Sequence, residues 1–309
     1  MEEKNMYDLT IIGAGPAGLA ASIYASRYGI THIVIGSLLG GQISETHLID
    51  NYPGIEDVTG VDFSQKLGHH AEKYGVEILP TLVRKIEKEN NEFNLDLVNG
   101  EKVKTKTILL ATGTKRKKLN IKGEEEFLGK GISYCATCDG FFYKNKSVAV
   151  IGGSDSAAGA ALFLAEIAQK VYLIYRKEEL RCEPFWQKRI AGNSKIEVIY
   201  SSNVIEIVGQ EKVEKIKLDK EHNGSAEIIL DGVFIEAGSD PNIDFAKDLS
   251  LEVDEKSYIK IKSDCSTSLE GVWAAGDITD GSDKFRQVIT AAAEGAIAAR
   301  SIFNYLKQR

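Results

Sequence analysis

The chain has 309 residues, 43% hydrophobic and 27% charged, with a formal net charge of -7. At roughly 100 to 200 residues per domain this length suggests two globular domains, and the acidic balance argues against a nucleic-acid partner, which needs a basic face. No stretch offers the ~18 nearly uncharged residues of a membrane span, because Glu294 and Arg300 interrupt the most apolar late run, and the opening MEEKNMYDLT carries glutamates where an export signal needs positive charge. Four cysteines are too few for a disulfide framework, so a cytoplasmic, reducing setting is expected.

The first stretch, YDLTIIGAGPAGLAASIYASRYGITHIVIG, predicts a strand over 8–12, a glycine turn, a helix of small residues ending near Gly29, and a strand from His32 to Ile35. Gly13, Gly15 and Gly18 fill GxGxxG. In that motif the first glycine makes the tight turn, the second lets a pyrophosphate approach the backbone, and the third lets helix pack on strand. N–H groups at the helix start then face the phosphates. This context favours dinucleotide binding over a bare glycine turn. The acid expected about 20 residues on, for a ribose hydroxyl, is missing. The second strand ends Ile35-Gly36-Ser37, which leaves the loop GSLLGGQ to hold the ribose by its backbone.

Next, ILLATGTKRKK (108–118) reads as a buried strand running into small residues and a basic stretch. SYCATCDGFF (133–142) then sets Cys135 and Cys138 two residues apart with Asp139 directly after. The stretch alone leaves three readings open: half a metal site, a structural staple, or a pair that opens and closes.

A second strand–turn–helix–strand unit begins at KSVAVIGGSDSAAGAALFLAEIAQKVYLIYRKEELR, with strands over 148–151 and 171–174. Its fingerprint, Gly152, Ser154 and Ala157, has serine in the middle position, where a side chain either crowds a pyrophosphate or hydrogen-bonds to it. The second strand ends in Tyr175-Arg176-Lys177, with Arg181 four residues further on. Arginine in place of an acid suits a 2'-phosphate, hence NADPH over NADH. A solvated basic turn, diluted by Glu178 and Glu179, is the alternative.

DGVFIEAGSDPN (231–242) repeats the form of 108–118, and the two look like crossings into and out of an inserted domain. GVWAAGDIT (271–279) places Gly276 and Asp277 after an apolar run, where the acid suits either ribitol or ribose hydroxyls or a helix cap. FRQVITAAAEGAIAARSIFNYL continues as a long helix.

The ordered set GAGPAG, GGQ (40–42), NYPG (51–54), ATG (111–113), CATCDGFFY (135–143), VIGG, AGSDPN, AAGD and RQVITAA covers the chain from Leu9 to about Ala299. On these motifs the chain resembles the low-molecular-weight thioredoxin reductases. That resemblance implies an α/β fold of two Rossmann-like domains: a discontinuous FAD domain (1–115 and 242–309) and an inserted NAD(P)H domain (116–241) carrying the CxxC. It implies electron flow from NADPH through FAD to the Cys135/Cys138 dithiol and on to the disulfide of thioredoxin or a thioredoxin-like protein. The match to Cys138 takes electrons from the flavin, the match to Cys135 attacks the partner, and the match to Asp139 is the acid. Members are homodimers whose small domain rotates, with hinges here near Thr112–Lys115 and Glu236–Pro241.

For FAD the resemblance implies Gly13, Gly15, Pro16, Ala17 and Gly18 of the first turn, then Gly36, Ser37, Gly40, Gly41, Gln42 and Ile43 of the loop. Asn51 and Gly113, with Gly276, Asp277, Arg286, Gln287 and Val288, complete that site. For NADPH it implies Gly152, Ser154, Asp155, Ser156 and Ala157 with Arg176, Lys177 and Arg181. Residue chemistry agrees with a cycling dithiol. Structural zinc wants four ligands, whereas Cys182, Cys265 and the five histidines lack the spacing to complete Cys135 and Cys138. A staple across two residues constrains the unfolded chain little. Asp139 is the one ionisable side chain in the stretch suited to protonate a leaving thiolate, the bland alternative being a turn cap.

Ser154, Tyr175 and Lys177 depart from the family's glycine, histidine and arginine, and lysine lacks arginine's bidentate fork. NADH or ferredoxin is therefore the alternative donor. Glutaredoxin-like proteins or peroxiredoxins are the alternative acceptors, and a flavin-binding redox sensor is the non-enzymatic alternative.

Overall fold

The computed structural model describes residues 6–309. Met1–Asn5, part of the segment in which an export signal is not expected, lie outside the described residues. The chain forms two compact units, one ending its first part at Lys115 and resuming at Asp240, the other spanning Arg116–Ser239. Among the described residues no helix is long and apolar enough to cross a membrane.

In the first unit β1 (Tyr7–Ile12), α1 (Pro16–Arg27) and β2 (His32–Ile35) form the expected β-α-β crossover. Pro16 starts α1, where its missing N–H costs nothing. Tyr28 caps the helix and Gly29, at φ 70°, turns the chain away. α2 (Gly60–Glu72) is capped by Thr59, whose hydroxyl accepts from the Asp62 N–H. β3 (Glu77–Leu79) is followed by a meander of β4 (Val83–Glu89), β5 (Glu92–Leu97) and β6 (Lys102–Leu110). The sheet order is β3-β2-β1-β6-β5-β4. Exposed and buried residues alternate along the start of β6, where antiparallel β5 is its neighbour. Its last four residues are all buried, where β6 runs parallel to β1 in a layer covered on both faces.

The chain leaves through β7 (Thr114–Arg116). The second unit contains β8 (Ile132–Ser133), a one-turn helix α3 (Ala136–Asp139), β9 (Ser147–Ile151), α4 (Asp155–Ile167), β10 (Lys170–Ile174), α5 (Pro184–Ala191) and β11 (Ile196–Ile199). An antiparallel sheet of β12 (Val204–Gly209), β13 (Val213–His222) and β14 (Ser225–Ile229) precedes β15 (Gly232–Ile235). The main sheet, β11-β10-β9-β15-β8, is parallel throughout. It is wound as the first is, outward from the strand that carries the glycine turn. α4 buries Leu162 and Leu164 against Val148, Val150, Leu173 and Phe234 on one face of this sheet.

β16 (Ser239–Pro241) pairs with β7, so the outgoing and returning segments lie side by side. β17 (Val272–Ala274) adds to the end of β6 in parallel, and α6 (Val288–Lys307) packs on α1. A Cβ on Gly295 would stand 2.0 Å from the Ala17 carbonyl oxygen, which is why small residues line that helix contact. The strands of the two glycine-turn units begin within a residue of their predicted starts, β6 begins six residues before the expected Ile108, and the long C-terminal helix is present.

Candidate active-site residues

The first glycine turn assigns a separate task to each glycine. Gly13 has φ 119°, and a Cβ there would lie 2.1 Å from the Ala111 oxygen at the end of β6. A Cβ on Gly18 would meet the Gly13 oxygen at 1.9 Å, so this glycine sets the approach of α1 to β1. At Gly15 the nearest atom to a Cβ would be the Gly40 oxygen, 3.9 Å away. The space above Gly15 is open, and a side chain would fill it. Gly36 replaces the missing acid with contact, since a Cβ there would stand 2.6 Å from the Ala14 nitrogen. The Gly40 N–H donates to the Ala14 oxygen at 2.7 Å, which folds the loop back over the turn. Gln42 is committed elsewhere, its amide donating to the Thr114 backbone oxygen and, at 3.0 Å, to the Thr114 hydroxyl.

The ends of β6 and β17 extend the same face. Asn51 donates to the Gln287 side chain at 3.1 Å, and Gln287 forms a reciprocal cap with Thr290 at the start of α6. Gly113 accepts from the Asn242 N–H at 3.0 Å. Asp277 is half-buried, and burial pushes its carboxyl up to about 6, opposed by the Arg286 guanidinium and reinforced by Glu294. The Arg286 guanidinium lies 3.9 Å from the Tyr258 ring centroid. Its Nε reaches the Asp277 carbonyl at 3.4 Å, while its Nη2 is buried without a hydrogen-bond partner. A buried guanidinium nitrogen lacking an acceptor, a half-buried carboxyl at Asp277, and open space over Gly15 together fit a polar ligand with phosphate and hydroxyl groups. The residues present therefore fit a dinucleotide such as FAD.

In the second unit Cys135 and Cys138 form a disulfide with Cα atoms 5.3 Å apart, across the start of α3. Cys138 is exposed and Cys135 is half-buried. The Cys138 N–H donates to the Cys135 sulfur at 3.1 Å, a contact that stabilises a thiolate on Cys135 once the bond opens. Ser133 holds Cys135 itself, its hydroxyl accepting from the Cys135 N–H at 3.0 Å. Tyr134 is pinned by its hydroxyl to buried Glu124 at 2.6 Å, and that carboxylate also takes the N–H groups of Leu119 and Asn120. Asp139 makes no side-chain cap, and no hydrogen bond or ion pair among the described residues uses its carboxylate. It faces Tyr143, whose hydroxyl is pushed up by burial first and by Asp139 second. A carboxylate free of capping duty suits proton transfer better than the turn-cap reading. Phe141 and Phe142, just beyond, are exposed.

The remaining cysteines play no part in this chemistry. Cys182 and Cys265 are buried and unpaired, and burial pushes the Cys265 thiol up to about 12.

The second glycine turn is brought to the basic strand end. Gly152 has φ 155°, and a Cβ there would meet the Glu236 oxygen at 2.3 Å. The Arg181 N–H donates to the Gly153 oxygen at 2.9 Å, and Asp155 accepts from the Glu183 N–H at 2.8 Å. Asp155 thus anchors the loop that carries Arg181. Ser154 starts α4 without capping it, Ser156 is exposed, and Ala157 is buried beneath the turn. Arg176, Lys177 and Arg181 are all exposed, and no ion pair among the described residues engages them. Tyr175 is buried with its ring against Gly153, where a Cβ would come within 2.6 Å of the ring. At that position the side chain is packing, not a phosphate ligand.

Sequence reasoning missed Glu294, Tyr258 and Glu124, which support the site without the motif spacing that marks it.

Comparison with known proteins agrees with this geometry. Residues 7–295 match the family described as pyridine nucleotide-disulphide oxidoreductase. The chain is 40% identical to the thioredoxin reductase of Helicobacter pylori, covering 98% of this chain and 99% of that one. It is 35% identical to the thioredoxin reductase of Bacillus subtilis, covering 100% and 97%. Among solved structures, the thioredoxin reductase of Lactococcus lactis superimposes with a TM-score of 0.93 at 35% identity, covering 98% of this chain and 100% of that one. The chain belongs to the pyridine nucleotide-disulphide oxidoreductases and, within them, to the FAD- and NADPH-dependent low-molecular-weight thioredoxin reductases, enzymes that reduce the disulfide of thioredoxin.

Proposed function

We propose that this chain takes its electrons from NADPH, with FAD on the first unit and NADPH on the second, and delivers them through Cys135 to thioredoxin. When bound, FAD supplies the two-electron exchange between a nicotinamide hydride and a disulfide. Gly13, Gly15 and Gly18 with Asp277, Arg286 and Gln287 would hold it, the open space over Gly15 admitting the pyrophosphate and the unpaired Arg286 Nη2 offering a donor. In the second unit Arg176, Lys177 and Arg181 would take the 2'-phosphate beside the Gly152–Ala157 turn. The observation that carries this donor is a trio of exposed cations with no acidic partner among the described residues, of which Arg181 is tied by its backbone N–H to the Gly153 oxygen of the glycine turn.

In the thiol steps, the reduced pair presents Cys135 as the attacking thiolate, helped by the Cys138 N–H. Attack on the partner's disulfide forms one mixed bond and expels one partner thiolate. Cys138 then attacks Cys135, restoring the Cys135–Cys138 bond and releasing the second partner thiol. Asp139 supplies the proton that a leaving thiolate needs. The crossings at residues 112–115 and 236–241 serve as hinges, and the enzyme acts as a cytoplasmic homodimer.

Stopped-flow mixing under anaerobic conditions tests the donor. NADPH is expected to bleach the flavin within one turnover time and NADH far more slowly. Bleaching by reduced ferredoxin with none by NADPH overturns the assignment.

A further inference from the structure

Glu294 lies on α6, a turn and a half beyond the helix start, and its side chain is buried. Its carboxylate gathers three donors from one connection. Oε2 accepts from the Gly276 N–H at 2.7 Å and the Thr279 hydroxyl at 3.2 Å, and Oε1 accepts from the Ser282 hydroxyl at 2.5 Å. Gly276 directly precedes Asp277. Ser282 opens a run of three non-glycine residues, Ser282, Asp283 and Lys284, at φ 50°, 51° and 61°. Left-handed backbone is unfavourable for residues with a Cβ and persists only where the surroundings impose it. Arg286 follows two residues after that run ends.

The segment is fixed at several points. Lys284 Nζ reaches Asp254 at 3.1 Å, Thr290 Oγ1 donates to the Phe285 oxygen at 2.7 Å, and Arg286 rests on Tyr258. Glu294 is the group that ties its start to the turn before Asp277. A Cβ on Gly281 would lie 2.6 Å from Glu294 Oε1, so the chain also closes sterically over the carboxylate. Asp277 and Arg286 both depend on this connection for their placement.

We propose that Glu294 is a positioning residue for the flavin: its buried carboxylate clamps Gly276 to Ser282 and thereby sets where Asp277 and Arg286 stand toward the cofactor. The inference rests on the reading that these two residues face FAD. It extends that reading to a side chain that belongs to none of the glycine or dithiol motifs.

The test measures the FAD dissociation constant by fluorescence titration of the flavin-stripped chain, together with its melting temperature. Glu294→Gln can keep an oxygen toward Gly276 and turn its amide N–H to the Ser282 hydroxyl, and should bind FAD within about threefold of the parent. Glu294→Ala should bind at least about tenfold more weakly. Ile302→Val, a core change on the same helix away from the clamp, serves as a control that lowers the melting temperature and leaves FAD affinity unchanged. Ser282→Ala removes one donor at an exposed position, leaves the core intact, and should weaken FAD binding about threefold. Parental affinity in folded Ser282→Ala, or in folded Glu294→Ala, overturns the inference, as does a Gln variant as weak as the Ala variant. A parent chain that takes up no FAD overturns the cofactor reading itself, and the inference with it.

Discussion

The two units carry the same β-α-β device with different margins. In the first, each glycine meets a separate steric demand: Gly13 at a positive φ, Gly18 against the Gly13 oxygen, Gly15 below open space. In the second, Gly152 keeps the strained turn, Ser154 occupies the middle position, and Asp155 ties down the following loop. The first glycine, which shapes the turn, is kept in both units, while the middle position, which faces a ligand, and the third, which is Gly18 in one and Ala157 in the other, differ. A turn can therefore hold its fold after its fingerprint has blurred, and a broken motif is weaker evidence against binding than an intact one is for it.

The contrast can be broken in five ways, from the largest effect downward. Cys135→Ser and Cys138→Ser should each lower thioredoxin reduction by about 1,000-fold or more, and the double variant should cost no more than either, because the pair acts as a unit. FAD uptake should be unchanged in all three. Gly15→Val should weaken FAD binding by about 100-fold, or about 2.7 kcal/mol, by filling the open space. The fold should survive, since Gly15 has an ordinary φ of -84°.

Asp139→Asn should slow dithiol turnover by about 30-fold without altering flavin reduction by the donor, as rapid-reaction absorbance would separate. Arg176→Ala and Arg181→Ala should raise the KM for NADPH by about tenfold each and change that for NADH little, which steady-state kinetics would read. Equal effects on the two nucleotides would return the cluster to a solvated basic turn.

The smallest effect concerns pH. Asp277 is held at about 6 in the folded chain against an ordinary 3.8. Between those values the folded chain holds a proton that the unfolded chain has lost, so stability of the flavin-free protein falls as pH rises through that window. Asp277→Asn should flatten that slope, by about 1 to 3 kcal/mol across the window, in urea melts at pH 4 and pH 7.

Much of this was legible in the sequence. Glycine spacing announces the turns because a Cβ at Gly13 or Gly152 cannot be accommodated, and the chemistry of CATC announces itself by residue type. Strand and helix positions followed from runs such as residues 8–12 and 285–306, which the structure forms as Tyr7–Ile12 and Val288–Lys307. Glu294 was legible only as a charge that spoils a membrane span, because its partners come from a segment 12 to 18 residues earlier whose path is set by tertiary packing. Tyr258 under Arg286 was hidden for the same reason. Tyr175 read as a change in a phosphate motif, and only its burial against Gly153 identifies it as a packing residue.

The side-by-side strands β7 and β16 have a consequence for how such a molecule arises. Hydrogen bonds from the Asn242 N–H to Gly113 and from the Lys117 N–H to Gly238 bracket the pair, so the chain departs and returns at nearly one point. A whole folded body thus occupies the place of an ordinary hairpin loop. Excising residues 118–237 and joining the stubs with a short turn should leave a self-sufficient flavin carrier, and grafting a foreign domain into the same gap should be tolerated.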